Sequence, residues 1–397
     1  MSKRFTIALL TLSLHAVSAS ADTTLAIAGR ANSTPWIASS GSTVAVAWAA
    51  TASGKSDVYV AVSTDGGLAF GTPVRVNAVS GEARVNGEIA PRVVLSPRRG
   101  SAPLVTVSWN AKDAGTQIKQ ARSIDGGRTF SAPIALQTGA AGERGWQSSA
   151  SDASGKLHTI WLDHRGLVAD PAAPKAASGE HDGVAMAQKS GLYYAADGIP
   201  ERELFKGVCY CCKTALATGP NGELYAAWRH VFPGNMRDMG FTMSRDGGRT
   251  FTPMMRVNED GWSIRGCPDD GPAMAVDPKG AVHLVWPTVQ NEQGVILYAT
   301  SRNGAAFSTP TRLPSLGGPK PSHPQVTVDR SGAVYVGWDE SREGVRRAAI
   351  SRLAGGQPDI LGDVTSYPVM APLDAGVIAA WTAGPPDRSV ISVRRIR

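Results

Sequence analysis

Beyond its first residues, the sequence contains no apolar run approaching the roughly 20 residues a helix needs to span a bilayer, which excludes a helical anchor for the rest of the chain. It is short of cysteine as well, with four in 397 residues. Three of these fall within Cys209-Tyr210-Cys211-Cys212, a peculiar framework for stapling a fold. Nor is there a basic stripe interleaved with aromatics. The formal charge of +7 is scattered, apart from the tail Arg394-Arg395-Ile396-Arg397, and on that ground a nucleic-acid partner is set aside. Turn formers are what the chain has in quantity. Its 44 Gly and 26 Pro point to many short connections and an all-β protein.

Lys3-Arg4, the apolar stretch from Phe5 to Val17 and Ala19-Ser20-Ala21 read as a secretory signal, residues 1–21, cleaved before Asp22. The mature chain, residues 22–397, is then periplasmic or secreted. Its formal charge falls from +7 to +5 when Lys3 and Arg4 leave, because residues 1–21 hold no acid.

One short stretch recurs. Ser244-Arg245-Asp246-Gly247-Gly248-Arg249-Thr250-Phe251 is matched by Ser123-Ile124-Asp125-Gly126-Gly127-Arg128-Thr129-Phe130 and nearly by Ser63-Thr64-Asp65-Gly66-Gly67-Leu68-Ala69-Phe70. Ser301-Arg302-Asn303-Gly304-Ala305-Ala306-Phe307 is a shorter, worn copy. Asp and Ser side chains cap backbone amides in such a turn, and the paired glycines supply positive φ. A second mark is a tryptophan ending an alternating run, at Trp48, Trp109, Trp161, Trp228, Trp286, Trp338 and Trp381. These seven modules recur at roughly 40 to 70 residues, the range of propeller blades. The expected fold is a single β-propeller of four-stranded antiparallel blades, seven if each module is whole and six if one is partial. Thr23-Thr24-Leu25-Ala26-Ile27-Ala28 is free to supply the outer strand that the last module lacks, closing the ring.

The Ser-x-Asp-Gly-Gly-x-Thr-Phe turns resemble the Asp boxes of the sialidase-like, bacterial-neuraminidase-repeat superfamily of propellers, and the resemblance covers the whole mature chain. It implies the fold strongly and the function weakly, because function resides in the site.

In a propeller the boxes lie on one face. The residues before each inner strand and after each Trp strand converge on the other. Those segments carry Arg84, Glu88 and Arg92, Arg144 and Trp146, the Cys cluster, Arg265, Cys267, Asp269 and Asp270, His323, and Tyr367. After the Trp strands come Asp163-His164-Arg165, His181-Asp182, Arg229-His230 with Met236 and Met239, and Asp339-Glu340-Ser341-Arg342. Aligning the fourth and fifth modules on Trp228 and Trp286 without a gap sets Cys209 on Cys267, Cys211 on Asp269 and Cys212 on Asp270. His158 and His283, three residues before their tryptophans, read as structural.

Thiolates with imidazole or thioether partners favour copper(I) or zinc. Cys209, Cys211, Cys212 and Cys267, with His230 and Met236, form the candidate metal site, and Met239 lies near. Lys213, Arg229 and Arg265 would offset the thiolate charge. Cys-x-Cys-Cys is not a standard zinc spacing, and the same cysteines also suit disulfides, for instance Cys209 with Cys267. The resemblance implies a different chemistry, exo-sialidase-type glycoside hydrolysis. Its hydrolytic members use an arginine triad for the substrate carboxylate, a Tyr nucleophile activated by Glu, and an Asp acid/base. Here Arg92, Arg144, Arg265 and Arg342 are the triad candidates, Tyr367 the nucleophile, and Asp269 or Asp270 the acid. Two departures stand out. Ser33-Thr34-Pro35-Trp36-Ile37 lacks the arginine of the family's Arg-Ile-Pro opening, and the one glutamate near Tyr367 is Glu88, reaching across the mouth. A third reading is a non-catalytic binder of a small glycan, or of a protein partner on this face, with Trp36, Trp146 and Trp262 as platforms.

Overall fold

A computed structural model describes residues 22–112, 115–139, 142–167, 183–264, 266, 268–355 and 357–397. The proposed signal, His181, Arg265 and Cys267 lie outside them. Among the described residues no helix is long and apolar enough to cross a membrane.

The described residues are nearly all β, in five four-stranded antiparallel sheets and one nine-stranded sheet. The nine-stranded sheet holds two four-stranded sets, running from Ala31–Ser40 to Val74–Arg75 and from Arg92–Ser96 to Ile134–Ala135. Ala83–Arg84 joins them by pairing Ser56 on one side and Ala111 on the other. The last sheet is completed from the other end of the chain. Thr23–Leu25 pairs antiparallel with Val390–Ile396, Thr23 opposite Val393, so no edge is left open there.

Each Trp strand lies between two others and between two neighbouring sheets, so it is apolar on both faces. Leu224–Arg229 is buried at every position, and all seven module tryptophans are fully buried. Several indole N–H groups find an acceptor two residues on: Trp161 Nε1 donates to Asp163 at 3.1 Å, Trp338 to Glu340 at 2.9 Å, and Trp228 to His230 Nδ1 at 3.4 Å. Outer strands such as Ile134–Ala135 are short and exposed. His158 and His283 bond Tyr194 and Tyr298 on the adjacent strand at 2.8 and 2.7 Å, which makes them part of the frame.

The repeated turns form as expected. Asp246 Oδ1 accepts from Ser244 Oγ and from the amides of Arg249 and Thr250, and Gly248 N donates to Ser244 Oγ at 2.9 Å. The Thr250 hydroxyl, ahead of the other bonds, holds the Asp246 carboxyl well below the usual carboxylate range. The second glycine has a further task. A Cβ at Gly248 would lie 1.8 Å from the Tyr194 hydroxyl of the preceding module. At Gly67 it would meet Ile378 at 2.1 Å, at Gly127 Val62 at 2.6 Å, and at Gly304 in the worn copy Met243 Sδ at 2.7 Å. The glycine is where one module closes on the one before it. By register, Ser244 sits opposite Leu224 at the start of the Trp strand, whereas the inner strand begins at Ala215, opposite Ala227 near its end. Box and inner-strand start are therefore at opposite ends of the sheet. The inner strands line an axial cavity of about 220 Å³, with Ser148, Leu216, Met274, Val326 and Met370 among its walls.

Gly248→Ala is expected to destabilise the protein by about 3 kcal/mol or more, combining left-handed strain with the clash on Tyr194. Gly247→Ala, with φ +69° and open space around it, should cost only the strain, about 1–2 kcal/mol. Urea denaturation of the two variants checks the order, and equal losses would contradict the inter-module role.

Candidate functional site at the mouth of the axial cavity

Five non-glycine residues at the starts of inner strands have left-handed φ: Thr34 at 51°, Trp146 at 56°, Asp269 at 49°, His323 at 53° and Tyr367 at 54°. In four of them the inner strand slips register against the Trp strand at that point, between Ser33 and Trp36, Gly145 and Ser148, Ser322 and Gln325, and Ser366 and Val369. Such backbone is rare for bulky or β-branched residues, and strain of this kind concentrates at functional sites.

Near the axis a buried charged network links several of these strands. The Glu88 carboxylate accepts from Lys213 N at 2.7 Å, and Lys213 Nζ stands 3.4 Å from both Glu88 and Asp270. Asp270 also accepts from the His323 amide at 3.0 Å. His323 Nδ1 bonds Asp339 at 2.9 Å, and Asp339 further accepts from Arg346 and from the Tyr367 amide. Burial pushes the Glu88 carboxyl up, Lys213 opposing and Asp270 assisting. Burial alone would depress His323, but Asp339, Asp270 and Glu88 raise it above the ordinary imidazole value.

Tyr367 packs against His323 with ring centroids 4.4 Å apart and the rings tilted at 53°, and it passes so close to Gly87 that a Cβ there would lie 2.4 Å from its ring. Burial, then Asp339, raises the phenol above its ordinary value, and its hydroxyl has no hydrogen-bond partner among the described residues. Glu88, the glutamate nearest by sequence reasoning, is held on Lys213. Arg92 is buried beneath this group, its guanidinium 3.7 Å from the Trp36 ring and its Nε bonded to Gln147 O; burial lowers it to about 10. Arg144 is buried on Asp163, which also binds Arg165. Arg342 is exposed and lines a separate hollow with Glu340 and Arg347. Arg92, Arg144 and Arg342 thus stand in three different settings.

Off the axis the sulfurs do converge. The Sγ atoms of Cys209, Cys211 and Cys212 all lie within 4.8 Å of one another. Cys212 is 3.9 Å from Cys209 and 4.0 Å from Cys211. Cys211 is disulfide-bonded, while Cys209 and Cys212 are free, so the suggested Cys209 bridge does not form. Cys209 faces Arg237 instead, whose Nη1 donates to the sulfur at 3.2 Å. The Cys212 thiol, with Arg237 and Arg229 assisting and burial opposing, lowers Cys209 to about 6. Burial pushes Cys212 well above its ordinary value. At neutral pH the two are therefore a thiolate and a thiol.

Arg229 is likewise buried and bonds the carbonyls of Arg237, Asp270 and Pro287. His230 is outside the sulfur group. Its Nδ1 takes the Trp228 indole N–H, and burial lowers it to about 4. Met236 pairs through its backbone with Phe232 and Ser263, and Met239 lies in the core between the fourth and fifth modules. Lys213, expected to balance thiolates, is engaged by Glu88 and Asp270. The residue that does so, Arg237, was missed, as was Arg346. Both stand where the loop after the Trp strand runs into the third strand, a position the sequence reading used only for its first residues.

Beside the sulfurs is a cavity of about 510 Å³, walled by Trp146, Tyr210, Cys211, Asp269, Glu143 and Arg84 among others. Trp146 Nε1 is buried without a partner. Asp269 is exposed, and burial of part of its carboxyl, with Asp270 beside it, raises that group.

A family model described as a BNR repeat-like domain matches residues 41–336. Among solved structures, an ulvan lyase, a polysaccharide lyase, superposes with TM-score 0.57 at 9% identity, covering 93% of this chain and 94% of that one. A Hadza microbial sialidase gives TM-score 0.51 at 14% identity, covering 87% and 74%. An α-L-arabinofuranosidase from Fusarium graminearum gives 0.51 at 12%, covering 82% and 94%. At these identities the likeness is one of fold. Comparison with curated proteins finds no match.

With the Cys211 disulfide intact and Cys209 and Cys212 free, thiolate absorbance should titrate with a midpoint near 6 for Cys209, and Arg237→Gln should move it up toward the ordinary value of about 8.5. Because the folded value is the lower one, the thiolate's contribution to stability is complete above about pH 8.5 and is lost as the pH falls through about 6. An unmoved midpoint in Arg237→Gln would remove that arginine from the account.

Proposed function

Since the chain belongs to the BNR repeat-like domain family, we propose that it is an exported propeller that binds a soft transition-metal ion, copper(I) first and zinc second, through Cys209, Cys211 and Cys212. One observation carries this reading. Three ligands at about 2.3 Å in a plane around one ion are about 4.0 Å apart, and two of the sulfur separations are 3.9 and 4.0 Å. Thiolate ligands select copper(I) or zinc over hard cations. Arg237 is the outer partner that keeps one sulfur ionised before the ion arrives, and the burial of Cys209 and Cys212 excludes competing water. His230 and Met236 are not needed by this reading.

A second reading is favoured by the cavity and the unpartnered Trp146 Nε1: a small glycan bound beside the sulfurs. A volume of about 510 Å³ is within the usual range for small-ligand sites. Trp146 and Tyr210 offer aromatic faces, and Asp269, Glu143 and Arg84 offer polar contacts. Hydrolysis has less support. It would need Tyr367 as nucleophile, Asp269 or Asp270 as acid, and Arg92, Arg144 and Arg265 on the substrate. Asp270 is already held by Lys213 and His323, and nothing described activates the phenol.

Reduced protein is expected to bind one copper(I) per chain in an anaerobic competition titration with a chromophoric chelator. Cys209→Ser should weaken binding by more than the roughly 10–100-fold expected of Arg237→Gln. Absence of stoichiometric metal in the reduced wild type would overturn the reading. Trp146→Ala should leave that stoichiometry unchanged and, on the second reading, lower glycan binding at least tenfold. A fluorogenic sialoside tests hydrolysis directly, with no turnover expected.

A further inference from the structure

Of the three clustered sulfurs, Cys211 alone lines the 510 Å³ cavity. Cys209 and Cys212 are each 1% exposed, against 5% for Cys211. An ion or a reductant coming from solvent through that cavity meets Cys211 first. Cys211 is also the one in a disulfide, whereas its two neighbours are free. A disulfide sulfur carries no thiolate and is a poor metal ligand.

We propose that the Cys211 disulfide is a redox gate on the metal site: oxidised, it withholds the third ligand; reduced, it completes the site. The proposal rests on the metal reading above. In the opening step a dithiol reductant R(SH)2 attacks the disulfide as its thiolate. The S–S bond breaks as a mixed disulfide forms, and the second reductant thiol displaces the protein sulfur. The net change is one protein disulfide converted to two thiols, with the reductant leaving as its cyclic disulfide. Two electrons and two protons pass from the reductant to the protein. Metal binding then releases the thiol protons of Cys211 and Cys212 to solvent.

The arrangement suits a gate for a geometric reason. Cys212 stands between the other two, 3.9 Å from Cys209 and 4.0 Å from Cys211, so the buried pair already holds two corners of the triangle. Opening the third requires only the loss of one bond at the cavity wall. Arg237 and Arg229 remain in place in either state, because their other hydrogen bonds run to backbone carbonyls and Asn235.

The test uses cadmium(II), which favours thiolates and does not itself reduce disulfides. The mature protein is prepared oxidised, and separately reduced with dithiothreitol and desalted under argon, with a thiol count confirming each state. Each is titrated by thiolate-to-cadmium absorbance. The expected result is one tightly held ion per chain in the reduced form and binding at least a hundredfold weaker in the oxidised form. Equal affinity in the two forms would overturn the gate and leave the metal reading standing. No binding in either form would overturn the metal reading, and the gate with it.

Discussion

Adjacent sheets in this chain approach so closely at one glycine per box that no side chain fits between them, and the geometry of the mouth depends on that closeness. Gly248 lies against Tyr194, Gly127 against Val62, Gly67 against Ile378 and Gly304 against Met243, each on the preceding module. Tyr194 is in turn fixed by His158, and His158 by Asp152. With the box ends pinned and the Trp strands fully buried, the opposite ends of the inner strands have little freedom to relax. They hold Trp146, Asp269, His323 and Tyr367 in left-handed backbone that an isolated strand would not keep. The box shapes the site from the far side of the molecule.

Buried charge decides which chemistry that rigid mouth supports. A guanidinium removed from water needs an anion or a full set of acceptors. Arg144 has Asp163. Arg237 and Arg229 have no carboxylate among the described residues, and Arg237 is 0% exposed. The Cys209 sulfur at 3.2 Å fills that need, and the arginine adds to the larger effect of the Cys212 thiol in keeping Cys209 ionised against burial. The thiolate and the arginine stabilise each other, and only one sulfur of the buried pair can be ionised in this way, since burial and the neighbouring charge push Cys212 in the opposite direction.

Much of this was legible in the residues. Box spacing and the Trp marks gave sheets of four strands, the N-terminal strand that completes the last sheet, and the convergence of Cys209, Cys211 and Cys212, because each is a local or periodic signal. The partners of individual side chains were not. His230 looked like a ligand by residue type, but its position two after Trp228 makes it the indole's acceptor, the role Asp163 and Glu340 have in their own modules. Lys213 adjoins the cysteines in sequence and turns instead to Glu88 and Asp270, 125 and 57 residues away. Arg237 lies 28 residues from Cys209 and meets it only because a loop folds back. Direction of a side chain, unlike periodicity, depends on neighbours that sequence spacing does not name.

The axis and the sulfur site differ in how far their charges are already satisfied, and that difference bears on what each can bind. On the axis every buried acid has a cation: Glu88 and Asp270 share Lys213, and Asp339 holds His323 and Arg346. A network balanced in this way resists taking up another charge, because a substrate carboxylate would have to displace an existing partner at the cost of leaving it buried and unpaired. Beside it, the sulfur cluster offers one anion, one thiol and one disulfide sulfur around a gap of ionic size. Once a reductant has opened the Cys211 disulfide, an incoming soft cation there would replace only thiol protons. The same buried arginines that make Cys209 a thiolate would repel a hard, highly charged ion, and they tolerate a monovalent one better. On the metal reading proposed above, this electrostatic asymmetry is the reason for placing copper(I) ahead of zinc, since the sulfur spacing alone would accept either.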